Sequence, residues 1–143
     1  MLSRVNYCCT TWGSWEPRGN KTILQRLQAI CNKFIRLIFK LDHTDSVRQI
    51  LKSQNILNIF QNYDFQLGQT MHKAIHGELP IALGRNLTIN NTFFFFKPCR
   101  IKQTQKSISF AGPDLWNKLP LDKIQEVDFK KFKSDLKSFI INK

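Results

Sequence analysis

From Thr22 onward, apolar residues return at intervals of three and four. Ile23, Leu27, Ile30, Cys31, Phe34, Ile35, Ile38 and Phe39 keep that spacing, which stacks side chains along one side of an α-helix. The pattern predicts a helix over about 22–40, with Thr22 as its N-cap. Lys21, Arg26, Lys33, Arg36 and Lys40 stand between the apolar positions, so this helix is apolar on one side and cationic elsewhere. A core helix with a lysine-rich solvent face is the ordinary reading of such a pattern, and a helix lying on a membrane surface is the rarer one.

A short helix is predicted over about 45–53, capped by Thr44 or Asp45 and burying Val47, Ile50 and Leu51. A longer one is predicted over about 58–76, with Ile59, Phe60, Tyr63, Leu67, Met71, Ala74 and Ile75 turned inward. Gly77 follows where a left-handed residue terminates a helix, and Pro80 and Gly84 open a loop. The period then changes. Residues 93–98 and 106–110 suit two paired strands joined by 100–105, which predicts a hairpin over about 93–110. Its run Phe93–Phe96 is an aggregation hazard if a strand edge stays open. Gly112-Pro113 is expected to break the second strand, and Pro113 to open one helical turn through Trp116 that Pro120 ends. A last helix is predicted over about 128–141, N-capped by Asp128 and burying Phe129, Phe132, Leu136, Phe139 and Ile140. Its other face carries Lys130, Lys131, Lys133 and Lys137.

The expected fold class is therefore mainly α with a small β-hairpin (α+β). Trp12, Gly13, Trp15, Pro17 and Gly19 read as turns and extended chain, so residues 1–20 are expected to form an extended N-terminal segment and 21–143 a single domain. Trp12 and Trp15 have two readings, packing beneath the first helix or stacking on bases.

Charge changes this picture more than composition does. Hydrophobic residues make up 42% of 143, which argues against wholesale disorder. Lysine and arginine total 22 against 10 acids, for a net charge of +12, and such a surplus favours polyanionic partners. No acid lies between Glu78 and Asp114, whereas Arg85, Lys97, Arg100, Lys102 and Lys106 all do. Phe93–Phe96, Phe110 and Trp116 flank that basic stretch. Cations neutralise phosphates and rings stack on bases, which is the chemistry of single-stranded nucleic-acid binding. Rings buried in a core beneath a solvated basic face are the competing reading.

Candidate chemistry is sparse. Asp42 and Asp45 flank His43, but they read as a loop and a helix cap, and no clustered carboxylates suit two-metal phosphoryl transfer. There is no phosphate-cradling glycine loop and no nucleophile elbow. His72 and His76 are four residues apart, which can place two imidazoles on one metal. Further ligands would have to come from Cys8, Cys9, Cys31 or Cys99, whose spacing supports none, so neither metal nor cofactor is expected. The same cysteines form no disulfide framework and read as free thiols. No signal-peptide core and no run long enough to span a bilayer is present, so an intracellular protein of nucleus or cytoplasm is expected. Sequons at Asn20, Asn86 and Asn90 then carry no consequence.

One segment is more specific. In SISFAGPDLWNKLP, residues 107–120, Gly112, Pro113, Leu115, Trp116, Asn117, Leu119 and Pro120 follow Ser107, Ser109 and Phe110. This resembles a motif downstream of the reverse-transcriptase domain in LINE-type (non-LTR) retrotransposon polyproteins. Other pieces are similar in the same order. They are Tyr7-Cys8 with Trp12-Gly13, then Leu27-Gln28 through Asn32-Lys33 to Arg36-Leu37-Ile38. Ser46-Val47-Arg48, Ile56–Ile59, Lys73–Pro80 and the closing Phe129…Phe132-Lys133…Leu136-Lys137 follow. The resemblance spans nearly the whole chain. It departs where family members carry a Thr-Arg pair, since Asn91, Thr92 and the phenylalanine run stand there without an arginine.

The resemblance implies a fragment whose polymerase centre would lie upstream, with Met1 at an internal position of the family pattern. It also implies a strand, a turn and a helical turn delivering Trp116 into a core, with Asn117 bonding the backbone around Pro120. The expected function is non-catalytic binding of RNA or DNA, largely non-specific, with no small-molecule substrate. Arg85, Lys97, Arg100, Lys102 and Lys106 would form its centre, and Lys130, Lys131, Lys133 and Lys137 a second strip. The alternative is a structural extension that packs on an upstream polymerase domain and has no function when isolated.

Overall fold

The computed structural model describes residues 21–42, 44–79, 88–90, 93–95 and 108–142. Six helices and one short strand pair make up this part. In chain order they are α1 (Lys21–Phe39), α2 (Val47–Ser53), α3 (Ile59–Ile75), β1 (Thr88–Asn90), β2 (Phe93–Phe95), α4 (Ile108–Trp116), α5 (Leu121–Ile124) and α6 (Phe129–Asn142).

α3 is the centre of the packing, with α4 and α6 against it. Its start is built locally: Asn58 Oδ1 accepts from the Gln61 amide at 2.7 Å, and Gln61 Oε1 accepts from the Asn58 amide at 3.1 Å. That reciprocal pair satisfies two of the amides a helix start leaves bare. α3 ends where Gly77 adopts φ +71, letting Gly77 N–H reach Ala74 O and Glu78 N–H reach Lys73 O. Asn55 at φ 55 closes α2 in the same way, and Lys40 at φ 50 stands at the corresponding position after α1.

Met71, Trp116, Phe132 and Leu136 are fully enclosed where the three helices meet, with Phe65, Phe94, Leu119, Ile124 and Ile140 around them. Trp116 meets Phe94 edge-on at 6.1 Å between centroids and Phe132 at 5.6 Å. A smaller cluster of Tyr63, Leu67 and Leu115, with Ile108 and Ala111 against it, fills another side of α3. Two glycines set the helix spacing. A Cβ at Gly68 would lie 2.7 Å from Leu136 Cδ2, and one at Gly112 would overlap the Met71 sulfur. A side chain at Gly112 would force Met71 to give way between α4 and α3, whereas one at Gly68 meets only the tip of Leu136.

The four expected helices are present. Three expectations are overturned. The second strand of the hairpin expected over 93–110 is not there, because the described chain is helical from Ile108. Ile108-Ser109-Phe110 alternates like a strand, but Ile108, Ala111 and Leu115 also repeat at helical spacing, and burying them against Tyr63 and Leu67 decides between the periods. Phe93–Phe95 pairs antiparallel with Thr88–Asn90 instead.

Second, Gly112-Pro113 lies inside α4 rather than ahead of it. Proline clashes with the Cβ of a preceding helical residue, and Gly112 has none. Third, α2 begins at Val47 after Ser46, not at an Asp45 cap. The Asp45 carboxylate instead accepts from the Asp42 amide at 3.0 Å and closes the preceding turn.

Candidate nucleic-acid interface

Along α6, Phe132, Leu136 and Ile140 repeat every fourth residue and are buried. Lys130, Lys133 and Lys137 recur at intervals of three and four, which lines them along one side of the same helix. Lys130 and Lys133 are exposed and Lys137 is half-buried. Asp128 starts the helix, its Oδ1 accepting from the Lys130 amide at 3.0 Å. The expectation of one strip of four lysines needs correction. Lys131 leaves the helix on another side and pairs with Glu126 Oε2 at 2.5 Å. The Lys131 hydrogen bond holds the Glu126 carboxyl below the ordinary carboxylate range, and Glu126 in turn raises the Lys131 ammonium. This lysine is engaged by its own fold.

Other cations are engaged as well. Lys118 pairs with Asp114 at 2.6 Å one helical turn away. Lys123 donates to the Asp135 carbonyl at 3.0 Å and lies over the Phe139 ring, and Lys73 lies over Phe129. Arg26, Lys33, Lys40, Arg48 and Lys52 are exposed on α1, on α2 and at the end of α1. Arg85, Lys97, Arg100, Lys102 and Lys106, the expected centre of the basic surface, lie outside the described residues. The segment 1–20, with Trp12 and Trp15, does so too.

No protein-family model, curated protein or solved structure matches this chain.

The segment 107–120 has a structural role from Ile108 onward. Gly112 admits Met71, Pro113 and Leu115 are buried, Trp116 is 0% exposed, Leu119 is buried and Pro120 starts α5. Asn117 does not bond the backbone around Pro120. Its Nδ2 donates to the Phe94 carbonyl at 3.0 Å and its Oδ1 accepts from the Phe94 amide at 3.3 Å. One side-chain amide thereby satisfies both backbone groups of a strand residue whose ring is in the core.

His72 is a buried titratable group beside Trp116 and Phe132. Its Nε2 donates to the Glu126 carbonyl at 2.9 Å, and its ring stacks on Phe132 at 4.3 Å. Nδ1 has no hydrogen-bond partner among the described residues, which suits the lone pair of a neutral imidazole. Burial lowers the His72 pKa, and the bond to Glu126 opposes this only in part. His76 lies beside it, ring centroids 4.3 Å apart. Among the described residues, no three His, Cys, Asp or Glu side chains come together to hold a metal ion.

α1 departs furthest from its expected role. None of its residues with described side chains is buried, and Ile30, Phe34, Leu37 and Ile38 are 43, 46, 75 and 70% exposed. Gln28 ties it to the start of α3. Gln28 Oε1 accepts from the Ile59 amide at the start of α3 at 2.9 Å, and Gln28 Nε2 donates to Asn32 at 2.8 Å. Nothing local distinguishes Gln28 from any other helix-surface glutamine. No described helix is long and apolar enough to cross a membrane.

Proposed function

We propose that the chain is a non-catalytic nucleic-acid-binding module of the kind found downstream of the reverse-transcriptase domain in LINE-type non-LTR retrotransposon polyproteins. The observation that carries this reading is the row of Lys130, Lys133 and Lys137 on one side of a helix whose neighbouring face is locked into the core. A rigid row of cations matches the regular phosphates of RNA or DNA and reads no base edge, so binding is largely sequence-independent. The net charge of +12 and the basic, acid-free stretch 79–113 support the same reading, with Arg85, Lys97, Arg100, Lys102 and Lys106 as further contacts. Such a module works inside the cell, in nucleus or cytoplasm.

Fluorescence anisotropy with a single-stranded oligonucleotide across a salt series tests this. Affinity falls steeply with salt, and a Lys130→Gln/Lys133→Gln/Lys137→Gln variant flattens the log–log slope by about 2. Equal, negligible affinity at low and high salt rules the reading out.

A second reading is favoured by one observation, the exposed apolar side of α1. On it, the chain is a structural extension that packs against a preceding polymerase domain.

A further inference from the structure

We infer that α1 is a docking helix for an acidic amphipathic helix of another protein domain; this rests on the second reading above and gives it a chemistry. Leu27, Ile30, Phe34 and Leu37 are spaced three, four and three apart, the a and d spacing of a heptad repeat, and Ile23 and Leu41 continue it in both directions. In helices packed on their own domain that seam is buried. Here Ile30, Phe34 and Leu37 are exposed and Leu27 is half-buried.

The residue before each a position is a cation. Arg26 and Lys33 on the helix and Lys40 just past its end stand seven apart, and all three are exposed. These g positions choose the partner in paired helices. The stretch 21–41 contains no acid, so nothing in α1 offsets them. A second copy fits poorly. Antiparallel pairing sets these cations against one another, and parallel pairing sets Arg26 and Lys33 against Cys31 and Ile38. A helix bearing glutamate or aspartate at the facing positions satisfies them.

A flat anionic bilayer also matches charge plus apolar surface, but the shape favours a helix. Beside the seam, Phe34, Ile35 and Ile38 with Leu51 and Ile56 line a recess of about 190 Å³ between α1 and the turn after α2. A side chain projecting from a partner helix fills such a concavity, in the way knobs enter holes. The cations, moreover, lie on one flank of the seam only.

The test uses the whole chain and synthetic peptides of about 20 residues that share one apolar heptad face. Their remaining positions carry glutamate, glutamine or lysine, and a fourth peptide scrambles the glutamate sequence. The glutamate peptide is expected to bind at least about tenfold more tightly than the glutamine peptide, with the lysine and scrambled peptides weaker still. A Phe34→Ser/Leu37→Ser variant, which keeps every charge, loses more than about tenfold. Unchanged circular dichroism of that variant shows that the loss is local. Equal binding of the glutamate and glutamine peptides overturns the acidic partner and leaves the second reading standing. Equal binding of the scrambled peptide overturns docking through the seam. Failure of every peptide, or sedimentation with vesicles containing phosphatidylserine in place of peptide binding, overturns both.

Discussion

Asn117 and Phe94 are joined by a two-bond clamp. The Asn117 amide donates to the Phe94 carbonyl and accepts from the Phe94 amide, at 3.0 and 3.3 Å. The phenylalanine ring is thereby held edge-on against Trp116, the residue that precedes the clamp. A strand residue with few ladder bonds is positioned by a side chain at the end of α4, so losing the clamp costs both order and packing. Asn117→Ala is expected to destabilise the chain by about 1–3 kcal/mol. Asn117→Asp, which retains the acceptor but not the donor, destabilises as well. Urea melts followed by tryptophan fluorescence measure both, and an unchanged midpoint for Asn117→Ala refutes the clamp.

Gly112 and Gly68 let α4 and α6 approach α3. Gly112→Ala forces the Met71 sulfur to move and is expected to cost about 1–3 kcal/mol, although alanine favours a helix intrinsically. Gly68→Ala meets the flexible tip of Leu136 and costs less. Thermal melts of the two variants should rank them in that order, and a stabilising Gly112→Ala would contradict the packing described.

Lys40 sits at φ 50 after α1, a conformation that crowds an L side chain. Lys40→Gly is expected to stabilise by about 0.5–1 kcal/mol, the reverse of an ordinary helix-end substitution. A lower melting temperature for this variant would show that the strain is absent.

His72 ties stability to pH. Burial lowers its pKa in the folded chain, whereas in the unfolded chain it titrates near ~6.5. The unfolded state therefore binds the proton more readily. The contribution of neutral His72 is complete above the unfolded value and shrinks as pH falls below it toward the depressed folded value. Melting temperatures at pH 8 and 5.5 should differ more for the natural chain than for His72→Phe. Equal pH dependence of the two rules out His72 as the titrating group.

Phe132→Ala removes a fully enclosed ring that touches both Trp116 and His72, and is expected to cost about 3–5 kcal/mol. A loss that large can consume most of the stability of a domain this size. Calorimetry reads it directly, and a loss under about 1 kcal/mol would show that the ring is not at the centre of the core.

The sequence by itself determined α1, α2, α3 and α6, the left-handed stop at Gly77 and the Asp128 cap, because each rests on neighbours within a turn or two. Period, cap and glycine are local signals, and local hydrogen bonds obey them. The tertiary structure decided what distance in sequence conceals. Ile108–Phe110 is compatible with either period, and only burial against Tyr63 and Leu67 makes it helix. Gly112 reads as a breaker until Met71 occupies the space beside it. Lys131 reads as a free cation until Glu126 folds back onto it, and Gln28 reads as surface until the start of α3 presents its Ile59 amide. The apolar side of α1 is equally visible either way, but whether such a stripe is covered depends on what the rest of the chain brings to it. Here the described chain leaves it exposed, because the core around Trp116 and Phe132 closes without α1.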